Sequence, residues 1–210
     1  MTIWLVMRST GLLAMVLLTL TVILGVASTS PHKTTWWPRF LSQGLHRNIA
    51  LLSVALLAAH VVTAVVDHKA HVDLADVVVP FETGYRPFWM GLGTIAVDLM
   101  IAVLITSGLR HRLGGRTWRA IHWLAYAAWP LALMHGLGVG TDARLPAVVG
   151  LTAGCVALVL FVFVLRAAES MTPARLVAVM AAFAVVGAGV AWSATGPLAP
   201  EWSKRAQAAP

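Results

Sequence analysis

The chain has 210 residues, of which 59% are apolar and only 11% charged, with a mean hydropathy of +0.82. Long uncharged runs at that composition exclude an ordinary soluble domain and indicate a protein whose solvent is lipid. The net charge of +7 is no argument for nucleic acid, because the basic residues gather in polar stretches between apolar runs, where they set membrane orientation.

Six transmembrane helices are expected, at about 9–28, 45–66, 88–109, 118–139, 146–165 and 173–192, because a bilayer forces each segment to close its own backbone hydrogen bonds. The first contains Gly11 to Ala27 without a charge, seventeen residues. That exceeds the apolar core of about 7–15 residues in a secretory signal, so the segment reads as a retained helix. A loop with Lys33, Trp36, Trp37, Pro38 and Arg39 follows, its Trp pair placed where an aromatic belt sits.

The second span carries His46 at its entrance and His60 well inside. Asp67 to Pro87 is an acidic loop with Asp67, Asp73, Asp76 and Glu82. Its Asp67-His68-Lys69-Ala70-His71-Val72-Asp73 stretch reads first as solvated, and second as a metal or acceptor-docking site. The third span holds Asp98, an intramembrane carboxylate read either as a proton-relay or quinone-site group or as a hydrogen-bonded packing residue.

Arg110, His111, Arg112, Arg116 and Arg119 form a basic connection with a turn at Gly114-Gly115. The fourth span carries His122 and His135, with Trp123, Trp129 and Pro130 between them. Pro146 opens the fifth span, and Thr172-Pro173 reads as the N-cap and first residue of the sixth. Within the fifth, Gly150-x3-Gly154 permits close helix packing. The single cysteine, Cys155, excludes a disulfide framework or thiolate cluster and reads as packing.

The histidine spacings are 14 and 13 residues, which at about 1.5 Å rise place the two imidazoles of each span roughly 20 Å apart along its axis, inside a core of about 30 Å. Two imidazoles at matched depths on neighbouring helices can share one metal centre. The pattern therefore predicts two centres stacked across the membrane, each a bis-histidine b-type haem, in an all-α six-helix bundle. A pair of strong-field imidazoles saturates iron and leaves simple electron transfer. One buried histidine is explained as well by a backbone partner; four at these spacings are a more specific signal.

If the first, third and fifth loops are cytoplasmic they hold nine basic residues against one acid, while the other side holds six of each. Positive-inside bias then puts both termini outside the plasma membrane. Both histidine helices run outward, so His46 pairs with His122 near the inner face and His60 with His135 near the outer. At about 100° per residue, thirteen residues leave His135 roughly 140° from His122. An irregularity is expected near Tyr126 to Pro130, where the proline frees a carbonyl.

The paired spacings, with Leu45-His46-Arg47 and Arg119-Ala120-Ile121-His122-Trp123, resemble the ferric reductase-like transmembrane domain. That domain is shared by ferric reductases, NADPH oxidases and the haem-binding membrane subunit of the bacterial methionine sulfoxide reductase system. The resemblance covers about residues 11–166. It implies two haem b groups carrying electrons from a cytoplasmic donor to an extracytoplasmic acceptor, in the membrane subunit of an oxidoreductase.

Arg47 and Arg119, with Arg39 a weaker candidate, are possible partners of the inner-haem propionates; positive-inside bias accounts for the same residues without haem. No G-x-G-x-x-G fingerprint occurs in the chain, so the expected donor is a separate flavoprotein reductase or membrane quinol. Two other classes stay open: a quinol-linked cytochrome b subunit of a dehydrogenase complex, and a haem-free metal transporter using the same histidines.

Overall fold

The computed structural model describes residues 2–29, 38–67, 72–169, 172–202 and 204. They contain eight helices: α1 (Thr2–Ser28), α2 (Arg39–Val66), α3 (Pro87–Gly108), α4 (Arg110–Leu113), α5 (Gly115–His122), α6 (Ala125–Val139), α7 (Pro146–Ala168) and α8 (Pro173–Thr195). Among the described residues, four are long and apolar enough to cross a membrane: α1, α2 from Phe40 onward, α3 and α7. Both α7 and α8 begin on the prolines expected to open them. A proline at the first helical position gives up an N–H that would lack a partner anyway.

The main departure from the expected elements lies in residues 118–139. Instead of one helix there are two, with Trp123 and Leu124 between them. Leu124 N–H donates to the Ile121 carbonyl, Tyr126 to Trp123 and Ala127 to Leu124, all three residues back. Such bonds wind the backbone at about 120° per residue rather than 100°. Three or four tightened residues add roughly 60–80° of rotation, removing about half of the 140° mismatch between His122 and His135. The expected irregularity is thus centred just upstream of its expected place, with Pro130 inside α6.

Two compact units make up the chain, and their boundary passes through α1 and α2. The first takes in Met1–Met15 and Ser53–Gly140, where α3 packs chiefly along α6 and then α5. Many of its buried residues are small, among them Ala14, Ser53, Thr94, Ala96 and Ala128, beside the larger Leu92, Val103 and Arg86. Lipid supplies no hydrophobic drive between helices, so close backbone approach at small side chains is what holds such a bundle together. The second unit comprises Val16–Leu52 and Thr141–Trp202. There α7 packs on α8, with Leu18, Thr19, Val26, Ser42, Cys155 and Val159 buried. Cys155 is a buried free thiol, consistent with packing.

In the first unit the loop before α3 is pinned at several points. Asp76 accepts from the Asp73 N–H at 2.9 Å through its carboxylate, and its carbonyl accepts from Thr94 Oγ1 at 2.8 Å. Arg86 is 2% exposed and sits in the left-handed region at φ 46°, which costs a non-glycine residue about 1–2 kcal/mol. Its Nη1 donates to the carbonyls of Gly138 (2.8 Å) and Val139 (3.1 Å). A cation on the last carbonyls of α6 satisfies orphan acceptors and opposes the helix dipole. The start of α3 is thereby tied to the end of α6.

Of the other residues singled out from sequence, Asp98 is exposed. It lies five positions beyond Gly93, hence about 140° around α3 from the face that meets His135. Lys33, Trp36, Trp37, His68, Lys69, Ala70 and His71 lie outside the described residues.

Candidate haem-ligand site

The first unit brings His60 of α2 and His135 of α6 together. Their ring centroids are 6.4 Å apart and their planes cross at 81°. Two metal–nitrogen bonds of about 2 Å each, with half a ring on either side, set the centroids of two imidazoles on one ion roughly 6 Å apart. The observed separation therefore fits a shared metal.

Both rings are fixed from behind. His60 Nδ1–H donates to the Met7 carbonyl of α1 at 2.8 Å, and His135 Nδ1–H donates to the Trp89 carbonyl of α3 at 2.9 Å. A carbonyl can only accept, so each Nδ1 carries the proton and Nε2 is left as the ligating nitrogen. Among the described residues no group of three or more His, Cys, Asp or Glu side chains converges on a point. A two-imidazole set is what a macrocycle-bound iron takes axially, and the pair fits a haem on that ground.

His46 and His122 belong to different units. In the second unit His46 repeats the arrangement of His60 and His135: its Nδ1–H donates to the Thr21 carbonyl of α1 at 2.9 Å. In the first unit His122, the last residue of α5, stacks on Trp118 at 5.0 Å between centroids and 27° between planes. The Trp118 indole N–H donates to Ser107 Oγ at 3.4 Å, so an α3 hydroxyl steadies the surface that holds this ring.

The arginines divide. Arg47 and Arg119 are exposed on α2 and α5. Arg8 of α1, next to the carbonyl that holds His60, is close enough to interact electrostatically with both His60 and His135. Neither Arg8 nor Arg86 stands out in the sequence, where each is one of fifteen basic residues. Three glycines were also missed, although each faces a histidine ring: Gly11 faces His60, Gly25 His46 and Gly93 His135. A readable sign existed, for Gly11 and Gly25 are 14 residues apart, the same interval as His46 and His60.

No curated protein and no solved structure matches the chain. The family model described as ferric reductase like transmembrane component matches residues 10–133. That stretch includes His46, His60 and His122 and stops just short of His135. With more than half of its length matched and four helices fit to cross a bilayer, the chain is a multi-pass membrane protein that belongs to the ferric reductase-like transmembrane component family.

Proposed function

We propose that this protein carries electrons across the plasma membrane through two bis-histidine b-type haems, taking them from a cytoplasmic flavoprotein and delivering them to an extracytoplasmic acceptor. The observation that carries the reading is the His60–His135 pair, at a separation suited to one iron. His46 and His122 are the ligands of the inner haem. Each haem, when bound, accepts and releases single electrons.

The protein's own contribution is placement. Protonated Nδ1 atoms on backbone carbonyls hold His46, His60 and His135 in one tautomer and ring plane, so little rearrangement accompanies a change of iron charge. Arg8 supplies positive charge beside the outer pair and is a partner for its propionates; Arg47 and Arg119 play that part at the inner haem. α1 provides carbonyls to two of the ligands, which supports its retention as a membrane helix rather than its removal as a signal.

Six spans complete the bundle: α5 and α6 together form the fourth, and α8 the sixth. Both termini are extracytoplasmic, which leaves the richly basic loops inside. Only a short connection separates α7 from α8, and within the 210 residues no dinucleotide fingerprint occurs, so the flavin and nicotinamide chemistry is assigned to a partner.

Proteoliposomes test the proposal. With a flavoprotein reductase and nicotinamide on the cytoplasmic face and ferricyanide sealed on the other, ferricyanide should be reduced, and His60→Ala should stop it. No electron passage with the wild-type protein, or reduction of its haems by quinol but not by flavoprotein, would overturn the flavoprotein-fed reading.

A further inference from the structure

In an α-helix each Cα–Cβ bond tilts toward the N-terminus, so the side chain of residue i+4 hangs over the carbonyl of residue i. A bulky ring from another helix cannot ordinarily reach that oxygen. Three histidines here do, and in each case the residue four positions after the acceptor is glycine: Met7 and Gly11 for His60, Thr21 and Gly25 for His46, Trp89 and Gly93 for His135. With 17 glycines in 210 residues, about one position in twelve, three coincidences at a specified register are not what chance supplies.

The space is needed. A Cβ built on Gly93 would lie 2.5 Å from His135 Nδ1, one on Gly11 2.9 Å from His60 Nδ1, and one on Gly25 3.3 Å from His46 Cε1. None of the obstructing atoms is the loose end of a flexible chain; all belong to rings held by their own hydrogen bonds. By contrast Gly136, next to His135, and Gly44, two residues before His46, meet nothing within 4 Å.

We propose that Gly11, Gly25 and Gly93 are positioning residues for the haem ligands: each opens one helix carbonyl to an imidazole and so fixes that ligand's tautomer, ring plane and electron-donating strength. The inference rests on the haem reading above. An imidazole whose Nδ1–H is bonded to a carbonyl is a stronger donor to iron and favours the ferric state. Removing the bond should therefore raise the potential of the haem concerned.

The experiment uses the full chain purified with its haems, in four variants: Gly11→Ala, Gly25→Ala, Gly93→Ala and the control Gly136→Ala. Haem per chain, low-spin ferric EPR and a redox titration are read for each. Gly11→Ala and Gly93→Ala should shift the same haem upward in potential or release it, with Gly93→Ala the stronger. Gly25→Ala should act on the other haem and least of the three, while Gly136→Ala leaves both signals in place.

Wild-type protein with two haems and unshifted signals in all three ligand-side variants would overturn the inference and leave the electron-transfer reading standing; a haem-free wild type would overturn that reading itself. Should the alanine variants fail to accumulate, pulsed EPR of the unmodified ferric protein decides. Exchangeable protons on the ligand Nδ1 atoms are expected, and deprotonated Nδ1 atoms would contradict the proposal.

Discussion

The rings of His60 and His135 lie 6.4 Å apart between centroids, with their planes 81° from one another. When axial imidazoles lie in crossed planes, neither of the two iron dπ orbitals is favoured by both ligands. The orbitals stay nearly degenerate, and the ferric ion becomes strongly anisotropic. The outer haem is therefore expected to give a highly anisotropic low-spin EPR signal with one widely shifted g value. Ordinary rhombic spectra from both haems would mean that the rings are parallel in the loaded protein.

Ligand substitutions should act in pairs. His60→Ala and His135→Ala are each expected to remove the same haem and leave the other, while His46→Ala and His122→Ala remove the second. Haem per chain and the surviving EPR signal read the pairing. A His60→Ala protein that keeps the signal lost from His135→Ala would break the outer pair.

Arg8 lies within electrostatic reach of both His60 and His135. A cation there favours the reduced, less positive iron. Arg8→Gln should lower the midpoint potential of the outer haem by an amount on the order of tens of millivolts, given an effective dielectric of about 20, and leave the inner haem unchanged. Equal shifts in both haems, or none, would remove Arg8 from the outer site.

Much of this was legible beforehand, and the parts that were not have identifiable reasons. Apolar runs marked the long helices, and Pro146 and Pro173 marked two of their starts, because lipid and the missing proline N–H impose those patterns directly. The break at Trp123–Leu124 left no composition cue: both residues are acceptable in a helix, and no residue type there demands the tightened three-back bonds. Arg86 looked like one more loop charge, since nothing local shows that its guanidinium caps a helix end 52 residues away. The glycine register became visible only with the acceptor carbonyls known, though the shared 14-residue interval was present throughout.

Arg86→Ala should destabilise the first unit. Charged hydrogen bonds contribute about 1.5–3 kcal/mol each, and the substitution leaves the Gly138 and Val139 carbonyls without that donor, while alanine keeps the Cβ and so relieves none of the left-handed strain at this position. A loss of about 2 kcal/mol is expected, read as earlier release of the outer haem on heating. Arg86→Lys should recover part of it. Unchanged thermal release in Arg86→Ala would show that the cap contributes nothing.

The most direct test of the central claim is the reduced-minus-oxidised visible spectrum of the purified full chain, taken with a haem-to-protein ratio. The account predicts b-type absorbance, two haems per chain, and one after His60→Ala. A folded, purified protein without reduced b-type absorbance would contradict it.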